Sequence, residues 1–150
     1  MSLEKNAAAL LSPDAADAIA SLHTRTVDAL AGYDKMAEKA VAEFRGIVAD
    51  FQTLHQRHAA ALSSMLSSAG RDPSGSGSIM GTINHAVVAI RAVFDDIDSD
   101  VIENILSGEE YITAAFDDVL AEDLPPPLAQ KIAGMSDELD ALLDRVSALA

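Results

Sequence analysis

The chain has 150 residues, enough for one domain with a single core, and 49% of them are apolar although only 4% are aromatic. Its net charge of −14 argues against nucleic acid and against an anionic membrane surface as partners. The absence of cysteine excludes disulfides, thiol catalysis and cysteine-ligated metal clusters.

The first long helix is predicted to begin at Pro13, because proline suits the first helical position and Ser12 is a favourable N-cap before it. Apolar side chains then recur every three or four residues, as they do along one face of a helix. The members of this stripe are Ile19, Leu22, Thr26, Leu30, Tyr33, Ala37 and Ala40.

A second helical stripe contains two histidines. Its members are Phe51, His55, His58, Leu62, Met65 and Ala69. The stripe ends at Gly70, which is followed by the helix-breaking sequence RDPSGSGS. Because an unbroken helix over residues 13–69 would be about 85 Å long, we expect a tight turn between Val41 and Gly46.

Three further helices are predicted after this Gly/Ser loop. A short one covers about residues 79–94, and a long one carries the stripe from Val101 to Val119. The sequence LPPP at residues 124–127 ends that helix and can open the next, since proline is tolerated in a first turn. The last stripe runs from Leu128 to Val146.

These stripes predict an all-α protein in which four long helices bury their apolar faces against one another. The expected architecture is a ferritin-like four-helix bundle, built from two antiparallel hairpins with the short helix in the crossover between them. Residues 13–150 would form the domain, and residues 1–12 an N-terminal tail.

Four segments carry a resemblance to a known family. They are AGYDKMAEKA (31–40), LHQRHAAALSSMLSSAG (54–70), SGSGSIMGTINHAV (74–87) and GEEYITAAFDDVLAEDLPP (108–126). Over about residues 15–149 the chain resembles an uncharacterised bacterial family of four-helix-bundle domains in the ferritin-like superfamily. The resemblance implies a ferritin-like bundle but supplies no activity, because the family has none firmly assigned.

Ferritin-like di-iron sites need a Glu from each of two helices and a Glu-x-x-His pair from each of the other two. The stripes here supply one inward glutamate, Glu109, and two inward histidines, His55 and His58. Gln52 stands where the glutamate of a Glu-x-x-His55 pair would be, and an amide binds metal more weakly than a carboxylate. These ligands are too few for a di-metal centre.

Alternatives remain for the three inward residues. The favoured one is a buried polar cluster whose hydrogen bonds either Tyr33 or Thr26 completes, with Gln52 as a further buried polar neighbour. The second is a site for a single iron, manganese or zinc ion, and the third places one or both histidines at the solvated rim. His23 and His85 are expected on the surface.

The sequence predicts no catalytic and no cofactor-binding residue. The favoured function is that of a non-enzymatic bacterial bundle protein with a degenerate metal site. One alternative is a metal binder or metal-dependent oxidase, and another is a partner-binding scaffold that uses Val88 and Val93, although the partner cannot be named. These two valines, with Leu10 and Leu11, are apolar and outside the predicted core, so a homodimer is the expected assembly if the chain self-associates.

The N-terminal residues are expected to make a poor signal peptide, because they carry an early glutamate and lack a long apolar core. It also has no apolar run near the roughly 20 residues that span a bilayer. We therefore expect a soluble cytoplasmic protein.

Overall fold

The structure is a computed structural model and describes residues 11–39, 42–73 and 99–149. Over these ranges the chain forms four helices and no strand. They are α1 (Pro13–Lys39), α2 (Ala42–Ser68), α3 (Ser99–Leu120) and α4 (Pro126–Ser147). The predicted short helix over residues 79–94 lies outside the described residues, and so do His85, Val88, Val93 and Leu10.

Both ends of the first hairpin are capped as the sequence predicts. The Ser12 hydroxyl accepts a hydrogen bond from the backbone N–H of Ala15 at 3.0 Å, which is an N-cap. At the end of α2, Gly70 has a φ of 78°, and the N–H of Arg71 donates to the carbonyl of Leu66 at 2.8 Å. This bond belongs to a Schellman motif, whose left-handed residue favours glycine.

The turn predicted between Val41 and Gly46 is not found from Ala42 onwards, and Val41 lies outside the described residues. α1 ends at Lys39 and α2 begins at Ala42, so Gly46 lies inside α2 and not at its start. A glycine costs a helix only about 1 kcal/mol relative to alanine. The nearby side chains of Val48 and Phe51 are buried, and their packing offsets that cost.

The four helices form two antiparallel hairpins, as predicted. Short connections make α1 antiparallel to α2 and α3 antiparallel to α4. Asp50 pairs with Arg145 and Arg57 pairs with Glu138, so α2 and α4 also run in opposite directions. It follows that α2 and α3 point the same way, so α2 ends and α3 begins at opposite ends of the bundle. Parallel second and third helices are typical of ferritin-like bundles.

The core is built from the predicted stripes, with local differences on α1. Near the end of α1 the buried residues are Tyr33 and Met36, whereas the predicted Ala37 is exposed and Leu30 is half-buried. A strict seven-residue spacing drifts around a straight helix, which moves these positions to the edge of the stripe. Leu11, predicted to lie outside the core, packs against it.

None of the helices in the described ranges combines the length and hydropathy that crossing a bilayer requires.

Candidate functional site

The centre of the bundle contains a buried carboxylate. Glu109 lies on α3 between Ile105 and Ile112, one turn from each, and only 1% of it is exposed. A buried carboxylate is costly unless hydrogen bonds or opposite charge compensate it. Two neighbouring helices supply that compensation.

Glu109 receives its hydrogen bonds from α1 and α2. The Tyr33 hydroxyl donates to Oε1 of Glu109 at 2.8 Å. Nε2 of His55 lies 2.6 Å from the same oxygen. The simplest assignment that satisfies both contacts has Nε2–H donating, since a carboxylate oxygen can accept two hydrogen bonds. We call these three residues the Tyr33–Glu109–His55 network.

The network is held in place by stacked rings. The rings of Tyr33 and Phe51 are nearly parallel, with centroids 4.9 Å apart. His55 stacks against both, with its ring centroid 5.8 Å from that of Tyr33 and 6.1 Å from that of Phe51. This packing restricts the rotation of both hydrogen-bond donors and directs them towards Glu109.

The Tyr33 hydroxyl remains a proton donor at neutral pH. Burial raises the pKa of Tyr33 well above its usual value, and the nearby charge of Glu109 and their hydrogen bond raise it further. Tyr33 therefore supplies a stable O–H donor, and the network is not arranged to ionise it.

Two polar atoms of the network have no hydrogen-bond partner. Oε2 of Glu109 and Nδ1 of His55 are buried and have no hydrogen-bond partner. Burial removes the hydrogen bonds that such atoms make with water, and no protein group replaces them. In folded proteins these atoms often contact an ordered water or an ion.

His58, the other predicted inward histidine, is buried but does not contact Glu109. Its Nε2 lies 3.6 Å from Oε1 of Glu138 on α4, beyond hydrogen-bond distance, and neither ring nitrogen has a partner. Its ring meets the edge of Phe116, with centroids 5.9 Å apart. Burial lowers the pKa of His58, although the charge of Glu138 opposes this effect.

The two remaining predicted neighbours do not join the network. Thr26 is buried, but its hydroxyl donates to the carbonyl of Leu22 at 2.8 Å within α1. Gln52 is only partly buried, and its amide donates to the exposed Asp34 at 2.7 Å. Gln52 was expected among the buried neighbours because of its spacing from His55, but a three-residue step changes direction by about 60° around a helix.

The predicted set of three metal ligands is not assembled. His55 and Glu109 are in contact, whereas His58 turns towards α4. Over the described ranges, no group of three or more His, Cys, Asp or Glu side chains is arranged to hold a metal ion. The donors near Glu109 therefore do not fit the di-metal centre that ferritin-like bundles can carry.

Three polar residues with unusual environments were not found from the sequence. Glu138 on α4 lies off the apolar stripe, and no spacing in the sequence indicates that it lies near His58. Asp28 on α1 lies off the apolar stripe, yet it is 2% exposed, and burial raises its pKa to about 6. His23, expected on the surface, is partly buried, and burial lowers its pKa.

The fold and the network define an all-helical bundle whose central polar residues form a hydrogen-bonded Tyr–Glu–His group. Residues 14–122 match the family described as "Domain of unknown function (DUF2383)", and the chain belongs to this family. The matched range contains the whole Tyr33–Glu109–His55 network, whereas α4 lies beyond it. No curated protein and no solved structure matches the chain.

Proposed function

We propose that this chain is a non-enzymatic, ferritin-like bundle protein of the bacterial cytoplasm, in which the Tyr33–Glu109–His55 network has a structural role. The observation that carries the proposal is that one oxygen of Glu109 accepts from both Tyr33 and His55. Those bonds join α1, α2 and α3 at one buried point, so they select the register in which these helices pack.

The chemistry of the network also supports a structural role. A general acid or base must reach a substrate, and Tyr33, His55 and Glu109 are all at most 1% exposed. Burial also keeps the Tyr33 hydroxyl protonated, because it raises the pKa of that group. Fixed donors around a buried carboxylate stabilise one packing arrangement and are poorly placed to transfer protons to a ligand.

Metal binding is a second candidate, and the unpartnered atoms favour it. Oε2 of Glu109, Nδ1 of His55 and both ring nitrogens of His58 are buried without hydrogen bonds. Imidazole and carboxylate together suit iron, manganese or zinc. A metal would require the His58 ring to turn from Glu138 towards Glu109, since the described residues present no three-ligand group as they stand.

Elemental analysis of protein purified without chelator distinguishes the two candidates. The structural role predicts well under one equivalent of iron, manganese and zinc, both before and after incubation with each ion. It also predicts that Glu109→Gln lowers the free energy of unfolding without changing the metal content. Near-stoichiometric metal that is lost in His58→Ala but kept in His23→Ala, the matched control, would replace this proposal with a metal-binding function.

A further inference from the structure

A groove separates α2 from α4 on one side of the bundle. It has a volume of about 520 Å³ and is lined in part by Thr53, Leu54, Ala141 and Leu142. The two leucines are buried and form its floor, while Thr53 and Ala141 are exposed.

Four charged residues surround this groove in an alternating arrangement, which we call the charge quartet. On α2 the acid Asp50 precedes the base Arg57 by seven residues, and on α4 Glu138 precedes Arg145 by the same spacing. Because the helices are antiparallel, each acid meets the other helix's base, at 2.8 Å in both pairs. Acids and bases therefore alternate around the four corners.

The charge quartet is locally neutral in a strongly acidic protein. The chain has a net charge of −14 and only 10 Lys and Arg residues, so most surfaces of two copies repel each other. Two acids and two bases cancel within the quartet, so these four side chains add no net charge repulsion between two copies. The four side chains remain 43% to 66% exposed, so each can still bind a partner.

The alternating arrangement is complementary to itself. If a two-fold axis runs parallel to the helices, α2 of one copy faces α4 of the other. Asp50 then lies opposite the second copy's Arg145, and Arg57 lies opposite the second copy's Glu138. Every charge gains a second neighbour of opposite sign, which is the requirement for an isologous interface.

The size of this face is sufficient for a dimer. α4 has 22 residues, so it is about 33 Å long, and two adjacent helices are about 20 Å wide. The product is about 700 Å², close to the roughly 800 Å² per partner of a standard interface. We propose that the α2–α4 face, with the charge quartet at its centre, is the surface through which two copies of this chain form a homodimer.

Two charge-reversed variants test the proposal. One carries Arg57→Glu and Arg145→Glu, and the other carries Asp50→Arg and Glu138→Arg. Light scattering up to about 1 mM protein should give a wild-type mass approaching twice 15.7 kDa and a mass near 15.7 kDa for each variant alone. An equimolar mixture of the variants should restore the dimer, because the reversed faces attract each other.

A second measurement does not depend on the folding of the charge-reversed variants. Because the chain has no cysteine, Thr53→Cys and Ala141→Cys each introduce a unique thiol beside the groove. Oxidation of an equimolar mixture of the two should give a covalent dimer in much higher yield than Ala114→Cys, an exposed control on α3, because the proposed interface places residue 53 opposite residue 141 of the second copy. A wild-type mass of 15.7 kDa at every concentration, or equal cross-linking in the control, would overturn the proposal and leave the groove to a different ligand.

Discussion

Replacing Tyr33 with phenylalanine removes one hydroxyl from the core and leaves the ring in place. The lost bond is a 2.8 Å hydrogen bond to a buried carboxylate oxygen. Hydrogen bonds to charged groups contribute about 1.5–3 kcal/mol, and Glu109 would keep only the His55 donor. We therefore expect Tyr33→Phe to lower the free energy of unfolding by about 2 kcal/mol. For a chain of this size that corresponds to a decrease in Tm of about 4–8 °C.

Urea denaturation followed by circular dichroism measures this loss, and the second tyrosine provides the control. Tyr111 is 40% exposed and contacts Arg25 through its ring and its backbone carbonyl, so Tyr111→Phe should change stability very little. In a Glu109→Gln background, Tyr33→Phe should cost only about 1 kcal/mol, because the bond is then between neutral groups. A loss below about 0.5 kcal/mol in the wild-type background would refute the assigned role of the network.

The same pair of variants tests the state of the Tyr33 hydroxyl at alkaline pH. In Tyr111→Phe the only tyrosine is Tyr33, whose pKa is raised well above its usual value of 10.0. A group with a raised pKa in the folded state stabilises the protein below its unfolded-state pKa, and this contribution is lost as pH rises above that value. Tyrosinate absorbance should therefore appear together with unfolding. A reversible titration near pH 10 in folded protein would contradict the buried hydrogen bond.

Three further predictions concern other buried residues. Phe116 is fully buried, so Phe116→Ala should lower the free energy of unfolding by about 3–5 kcal/mol in urea denaturation. Burial raises the pKa of Asp28 from 3.8 to about 6, so its ionisation costs stability as pH rises through that range. Asp28→Asn should stabilise the protein at pH 7 by no more than about 3 kcal/mol and have little effect at pH 4. An equal change in the free energy of unfolding at pH 7 and at pH 4 would show that Asp28 is not desolvated. Burial lowers the pKa of His58, so the unfolded chain binds its proton more readily and stability should fall as pH falls below about 6.5. His58→Gln should weaken that dependence, and an unchanged pH profile would remove His58 as its cause.

The fold could be predicted because it depends on patterns that are local in sequence. The Ser12–Pro13 start of α1 and the Gly70 end of α2 rest on backbone chemistry at those positions, and both are confirmed. The turn before Gly46 was misplaced because a glycine is a weak signal when the rest of a helix packs well. The two antiparallel hairpins could be predicted from the number of helices and the lengths of the connections between them. Both can be read from the sequence, and a short connection makes two helices antiparallel neighbours.

The candidate site was only partly predictable, because its contacts join residues that are far apart in sequence. The burial of His55 and Glu109 could be inferred from their positions in apolar stripes, and the structure confirms both. Their pairing followed from the cost of burying a carboxylate alone. The environments of Glu138 and Asp28 could not be inferred, since both lie off the apolar stripes and depend on the packing of neighbouring chain segments.

The different partners of His55 and His58 follow from helix geometry. A step of three residues turns about 300° around the helix axis, so the two side chains diverge by about 60°. In α2 that angle is enough to place His55 against Glu109 of α3 and to bring His58 near Glu138 of α4. A metal shared by both histidines would need the His58 ring to turn from Glu138 towards Glu109, and that ring packs against Phe116 in its present position. The spacing that suggested a shared metal site therefore directs the two histidines towards carboxylates on different helices, Glu109 on α3 and Glu138 on α4.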